Sequence, residues 1–587
     1  MSDAPHPASH PACRPAPRLT PEAAAALAGD LAALPYTTAA VEALLGPVAT
    51  AALDREHAEA ARRVVTAALA PAGTDDDGPD DADALAPGTP PGIPSGTRPL
   101  AAVVGAFLLG DPVPAADLAS ALPVTGLAGA KEAGLIIDGP DGTVRATCDL
   151  SPYETDEPGR MWVASDQTAL QRRGPLPEDH VLGIGRASLT LAGATQRRPV
   201  ARALDVGVGC GVQTLHLLGH AEHVTATDLS ERALAFTRLN LLLNADVLGL
   251  DRGRLDDRVR LAAGDMLEPV AGERFDLVVS NPPFVITPRT DPDAPVLTYR
   301  DGGREGDRIV AELVSALPEV LVEGGTAQLL ANWEIPAGEG GESTAGAADD
   351  GVPAPAWDAR PRSWVASGMQ AWFIQRDLQD PAGYAETWLQ DSSLELEPRR
   401  YEAAYRGYLE DFAARGVAGV GFGHVWLRRP AADGSQGRAW VVAEELAQPV
   451  DEALGGAWAA AVARRDRLAA WNGAGEGHDG RDGAGDPALA ALRGLHLRVA
   501  EDVTEERHQR FGAEHPEVIL ARQGSGFRRV ARVDTATAGV LAASDGELSV
   551  GQLVGAVAAL LELDAAGRAG LLAGLRELYE DGFLVEG

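Results

Sequence analysis

The chain is 587 residues long, more than one hydrophobic core can serve, so three or four domains are expected. Its net charge of −35 excludes a surface broadly coated with positive charge for nucleic acid and leaves only a local basic patch open. Arginine supplies nearly all the positive charge, Lys131 being the single lysine. Hydrophobic residues make up 45% of the chain, as in globular proteins, while 67 Gly and 41 Pro predict interspersed segments without a packed core. Cys13, Cys148 and Cys210 are odd in number and far apart. Neither a disulfide framework nor a metal cluster is expected from them, and a reducing cytoplasm fits. Residues 1–17 are rich in Pro, His and Ala without an apolar run, and read as a disordered tail rather than a signal peptide. No apolar stretch is long enough to predict a membrane span.

Residues 18–150 read as an N-terminal unit, α-rich and then winged-helix-like. Leu27, Leu31 and Leu34 recur at helical spacing, and Val41, Leu44 and Leu45 start a second face. Residues 71–99 are Asp, Gly and Pro with few large apolar side chains, which predicts a linker. The winged-helix-like pattern has helices at Val103–Leu109 and Pro114–Leu122, then strands at Leu135–Ile137 and Val144–Thr147. Such units often bind DNA, but the scarcity of positive charge favours packing or partner binding here.

Residues 151–445 read as the central unit. Trp162–Asp166 is expected as a strand edge. Asp179–Gly185 is a turn-rich entry that either folds over a bound ligand or covers one sheet edge. Strands are predicted at Ala201–Val206, His223–Thr227, Val259–Ala263, Phe275–Ser280 and Thr326–Asn332, with helices at Gly211–Leu218, Ser230–Leu243 and Glu305–Leu317. This alternation predicts a parallel sheet with helices on both faces and ligands at the carboxyl ends of the strands. An insertion at 337–355 precedes a strand at Met369–Gln375, helices at Gly383–Leu389 and Tyr401–Ala414, and strands near Val420–Leu427 and Arg438–Val442. The last unit, 446–587, holds a linker at 472–487 and a second winged-helix-like pattern at its end. Its one basic spot, Gly524–Arg529, reads as a charged turn rather than a phosphate contact.

The residues that carry chemistry cluster between Ala203 and Phe284. Asp205-x-Gly207-x-Gly209-x-Gly211 lies where a strand becomes a helix, and glycine there lets the backbone turn tightly and a ligand approach. The spacing differs from the dinucleotide fingerprint, which disfavours a nicotinamide dehydrogenase. Asp228 ends the next strand and is placed to accept from two ribose hydroxyls, or else serves as an acid before the helix starting at Ser230. Asp265 can accept from an adenine amino group and Met266 can pack on its ring. In Asn281-Pro282-Pro283-Phe284 the prolines delete two N–H donors and fix the backbone. Asn281 Oδ1 and the Pro282 carbonyl are then candidates to hold the two hydrogens of a planar –NH2 group with Phe284 stacked on it. A purely structural turn is the alternative.

These motifs resemble the S-adenosylmethionine (SAM)-dependent methyltransferases of the NPPY/F class. That class includes the HemK/PrmC-type protein-glutamine N-methyltransferases and the small-domain rRNA and adenine-N6 methyltransferases. The resemblance covers about residues 160–335. It implies an α/β, Rossmann-like class I methyltransferase fold, a parallel sheet with an antiparallel end strand, plus α-rich and winged-helix-like flanking domains. It implies S-adenosyl-L-methionine as cofactor, with Asp205, Gly207, Gly209 and Gly211 around its methionine part, Asp228 on the ribose, and Asp265 and Met266 on the adenine. Asn281, Pro282, Pro283 and Phe284 are implied to bind the target nitrogen. The segment Tyr299–Asp307 is similar to the glycine-rich stretch after the clamp in HemK/PrmC-type enzymes and, with the acidic chain, favours a protein glutamine such as that of a release factor. Phe284 in place of tyrosine and the winged-helix-like flanks favour an RNA or DNA base instead. A catalytically inactive SAM- or partner-binding protein is the reading from another class.

Overall fold

The computed structural model describes residues 15–70, 96–156, 158–172, 176–289, 300–337, 357–391, 398–434, 436–473 and 487–587. The expected tail, linkers and insertion lie outside these residues except at their margins; Arg98 and Pro99, for example, already belong to the helix Arg98–Val103.

The centre of the molecule is an eight-stranded sheet. Its strands are β1 (Val200–Val206), β2 (Ala221–Asp228), β3 (Val259–Ala263), β4 (Phe275–Ser280), β5 (Leu321–Pro336), β6 (Gln370–Gln379), β7 (Val417–Arg428) and β8 (Trp440–Glu445). Their spatial order is β8-β6-β7-β5-β4-β1-β2-β3. Only β7 runs against its neighbours, pairing antiparallel with both β5 and β6. It is inserted between them rather than placed at the edge, because a two-helix connection (Pro381–Asp391 and Pro398–Arg415) carries the chain back alongside β5. β8 then adds a parallel edge strand beyond β6. The architecture is a Rossmann-like α/β sheet whose antiparallel strand lies within the sheet instead of at its end.

Consecutive strand residues feed opposite faces, as the period of two requires. Ala203, Leu277 and Val279 join one apolar cluster, while Leu204, Val206 and Val278 join another. The second face is covered by helix Arg308–Val320, whose Ile309, Val310, Leu313, Val314 and Leu317 form a single buried stripe. The first face is covered by helix Glu231–Leu243 and, beyond it, by the N-terminal helices Pro21–Ala33 and Thr38–Leu53. Tyr36 fixes that junction: its hydroxyl donates to the Leu150 carbonyl at 2.7 Å, and its own carbonyl accepts from Trp162 Nε1 at 2.9 Å.

A hairpin, Asp149–Glu154 and Arg160–Ser165, precedes the sheet. Its second strand would leave buried backbone groups unpaired, and two asparagines supply the missing partners. Asn240 accepts from Ala164 N–H (2.7 Å) and donates to its carbonyl (2.9 Å); Asn244, one helical turn on, does the same for Trp162. The sequence reading passed over this pair in a leucine-rich helix.

The C-terminal region docks on the β6–β7–β8 side. Helix Gly455–Gly473 places Trp458 against Trp372 and Phe527, with ring centroids 5.6 and 5.7 Å away. Partly buried ion pairs Arg529–Glu444 (2.7 Å) and Arg428–Asp466 flank that contact. Helix Gly455–Gly473 and a three-stranded sheet (Val503–His508, Val518–Gln523, Val530–Val533) were not foreseen. The sheet is half exposed and rich in paired charges, so it lacks the apolar alternation that announces a strand. Among the described residues no single helix is long and apolar enough to cross a membrane.

Candidate active site

Strand register brings the candidate residues to one level. Val206 lies opposite Thr227 on one side and Ser280 on the other, and Ser280 opposite Leu329. The loops leaving β1, β2, β3 and β4 therefore open onto one cleft of about 300 Å3 at the carboxyl edge of the sheet.

Gly207 and Gly209 line this cleft with φ of 75° and 57°. Gly211 sits behind it as the N-cap of helix Val212–Leu217, at φ 96°, where a Cβ would come within 3.1 Å of Thr237. Asp228 stitches the turn to β2: its Oδ2 accepts from Gly209 N–H at 2.9 Å and its Oδ1 from Ser230 N–H at 2.8 Å. Asp228 also lies in the lining of the cleft. Burial raises the Asp228 carboxyl above its usual range.

Asp205 does not line the cleft. It is fully buried beneath the glycine turn, where Oδ2 accepts from Thr214 Oγ1 at 2.7 Å and Oδ1 has no partner among the described residues. Burial pushes its carboxyl up to about 7. Asp265 and Met266 both reach the cleft. Asp265 is held by Arg304 Nη2 at 2.8 Å, and Met266 sits in the left-handed region (φ 48°) with its carbonyl accepting from Thr227 Oγ1 at 3.2 Å.

At the end of β4, Ser280 Oγ donates to the Val206 carbonyl at 2.8 Å, tying β4 to β1 one residue before Asn281. Asn281 and Pro283 line the cleft, and Asn281 Oδ1 is a buried acceptor with no partner among the described residues. The carbonyls of the clamp are less free than the two prolines suggest: Pro282 accepts from Phe284 N–H at 2.8 Å and Pro283 from Gly302 N–H at 3.2 Å. Pro282 is buried, and Phe284 is not in the lining of the cleft; its partly buried side chain packs against the apolar cluster under helix Arg308–Val320.

Two walls had weaker signals in the sequence. The Asp179–Gly185 entry lies over the glycine turn, with His180, Val181 and Gly183 in the lining. It is latched by Asp166, whose Oδ2 accepts from Val181 N–H (3.0 Å) and Arg232 Nε (2.7 Å). On the other side Asp301, Gly302 and Gly303 close on the clamp, Asp301 being 4% exposed and paired with Arg289.

Residues 183–340 match the methyltransferase small domain family, and residues 33–147 match a domain of unknown function (DUF7059). A release factor glutamine methyltransferase of Geobacter sulfurreducens is 36% identical over 142 residues, 22% of this chain and 46% of the relative. A ribosomal protein uL3 glutamine methyltransferase of Bradyrhizobium diazoefficiens is 30% identical over 160 residues, 26% of this chain and 46% of the relative. A ribosomal RNA small subunit methyltransferase C of Alcanivorax borkumensis is 30% identical over 135 residues, 23% of this chain and 33% of the relative. The chain thus spans less than half the length of each of these relatives.

Proposed function

We propose that this protein is a SAM-dependent N-methyltransferase acting on a planar amide nitrogen, that of a glutamine in a protein of the release-factor type. The observation that carries the reading is Asn281, whose buried Oδ1 has no partner among the described residues, in the lining of a cleft whose opposite end is a glycine turn closed by an acidic residue. Those features fit the cofactor. The cleft-lining Gly207 and Gly209 admit its chain, Asp228 offers acceptors for its ribose, and Asp265 with Met266 borders its adenine. When bound, SAM supplies an electrophilic methyl group. Asp205 and Gly211 act from behind the cleft, shaping the turn instead of touching the ligand.

An amide nitrogen is a poor nucleophile because its lone pair is delocalised. Asn281 Oδ1 accepts one of its hydrogens, and the lone pair that Pro282 retains after its bond to Phe284 N–H accepts the other. Both acceptors stabilise positive charge as it develops on nitrogen. Alignment with the methyl group is then a matter of orientation, set by strands β1 and β4 on either side. The units 18–150 and 446–587 flank this domain at 151–445. The identities to two glutamine methyltransferases and the charge of −35 support a protein acceptor over RNA.

The test supplies radiolabelled SAM with purified release factors in one tube and ribosomal RNA in another. Label is expected in the release factor with wild type and not with Asn281→Ala. Label in the RNA alone would move the acceptor to a base, and equal labelling by the variant would remove Asn281 from the mechanism.

A further inference from the structure

With two prolines in succession, the clamp has few N–H donors to fix its own position, so its neighbours must hold it. Downstream of Pro283 the chain is gripped on both sides. Val285 N–H donates to the Arg300 carbonyl at 2.8 Å. From the opposite side Asn332 Nδ2 donates to the Phe284 carbonyl at 2.8 Å, and the Tyr384 hydroxyl accepts from Ile286 N–H at 2.7 Å. Asn332 Nδ2 also lies 3.4 Å from that hydroxyl, which links the two.

Both side chains are fully buried, where a polar group is costly unless bonded. Neither lines the cleft. Asn332 comes from β5. Tyr384 comes from helix Pro381–Asp391, outside the stretch that matches the methyltransferase small domain. Its ring is wedged by Phe422, stacked at 5.7 Å, and Phe412, edge-on at 5.5 Å, so the hydroxyl has little freedom. Arg300 Nη1 ties the same helix to the far side of the clamp through the Trp388 carbonyl at 2.9 Å.

We propose that Tyr384, with Asn332, is a positioning residue for methyl transfer. By fixing the peptide from Phe284 to Ile286 it sets where the clamp, and hence Asn281 Oδ1, meets the target nitrogen. This rests on the reading of Asn281 given above.

The experiment uses the full chain with Tyr384→Phe, Asn332→Ala and, as a packing control that does not touch Tyr384, Trp458→Leu, which removes the ring against Trp372 and Phe527. Tyr384→Phe and Asn332→Ala are expected to slow single-turnover methyl transfer to a release factor by on the order of 10-fold, a misplacement effect. The Kd for S-adenosylhomocysteine, read by calorimetry, is expected to stay within about twofold. Trp458→Leu lowers Tm and keeps the transfer rate. Amide hydrogen exchange at Ile286 rises in Tyr384→Phe. Unchanged transfer in Tyr384→Phe overturns the inference, as does a loss matched by equal loss of S-adenosylhomocysteine binding or reproduced by Trp458→Leu. If wild type labels neither release factor nor RNA, the functional reading falls instead. Exchange at Ile286 then decides this inference alone, faster exchange supporting it and unchanged protection overturning it.

Discussion

The two ends of the cleft are built over very different distances along the chain. At the proposed cofactor end, Asp205 meets Thr214, Gly209 meets Asp228, and Thr227 meets Met266, separations of 9, 19 and 39 residues. At the proposed acceptor end, Phe284 is held by Asn332 and Ile286 by Tyr384, separations of 48 and 98 residues. The turn at the first end is tied together by the βα units that create it, and the Asp179–Gly185 entry is latched over it through Asp166 and Arg232. The second is finished by elements inserted later in the chain, which is where a common fold can acquire its own acceptor.

If the ends are separable in this way, substitutions should divide cleanly between transfer and cofactor binding. Asn281→Ala is expected to have the largest effect, slowing methyl transfer by roughly 100- to 1000-fold, as loss of one charge-stabilising group does. Its S-adenosylhomocysteine affinity should be that of wild type, and a parallel fall in affinity would mean that the ends are coupled. Asp228→Ala should do the reverse. Affinity falls by about 10- to 100-fold, in line with hydrogen bonds to a charged group, while transfer at saturating SAM survives.

A smaller, pH-dependent effect sharpens the cofactor side. Burial holds the Asp205 carboxyl at about 7, so between the unfolded value near about 4 and about 7 the folded chain keeps a proton that the unfolded chain releases. Stability therefore falls as pH rises through that window, and the cost is complete above it. Asp205→Asn should raise Tm at pH 8 relative to wild type and change it little at pH 4, by calorimetric scanning. A Tm difference that does not vary with pH would contradict this account of Asp205. The smallest effect is expected at the seam between the ends. The Arg304–Asp265 pair has side chains 30% and 38% exposed, so Arg304→Ala should weaken SAM binding by less than about 1 kcal/mol.

The same contrast explains what could be read in advance. The order of strands and helices from Ala201 to Asn332 was legible because apolar runs and helical periods are local signals. So were the glycine turn, Asp228, Asp265 and Asn281. What escaped depended on contacts between distant segments. Nothing around Asp205 announces that it lies under the turn and not in the cleft, because Thr214 covers it only once the helix forms. Phe284 sits in a motif that suggests stacking, yet an apolar cluster assembled from helix Arg308–Val320 and β5 claims its ring. Tyr384 gave no signal at all, since its partner is a backbone amide 98 residues earlier.

One apolar cluster runs without a break from Leu19 through Trp162 and Phe236 to Val279, and so crosses from the N-terminal helices into β4. Trimming the protein to residues 183–340 would strip Phe236, Leu239 and Leu243 of that cover and leave Asn240 and Asn244 without their strand. The N-terminal helices and the glycine-turn face of the sheet should consequently melt as a single cooperative unit and exchange their core amides together. Sequence similarity draws its border at 183; thermodynamically, the border lies elsewhere.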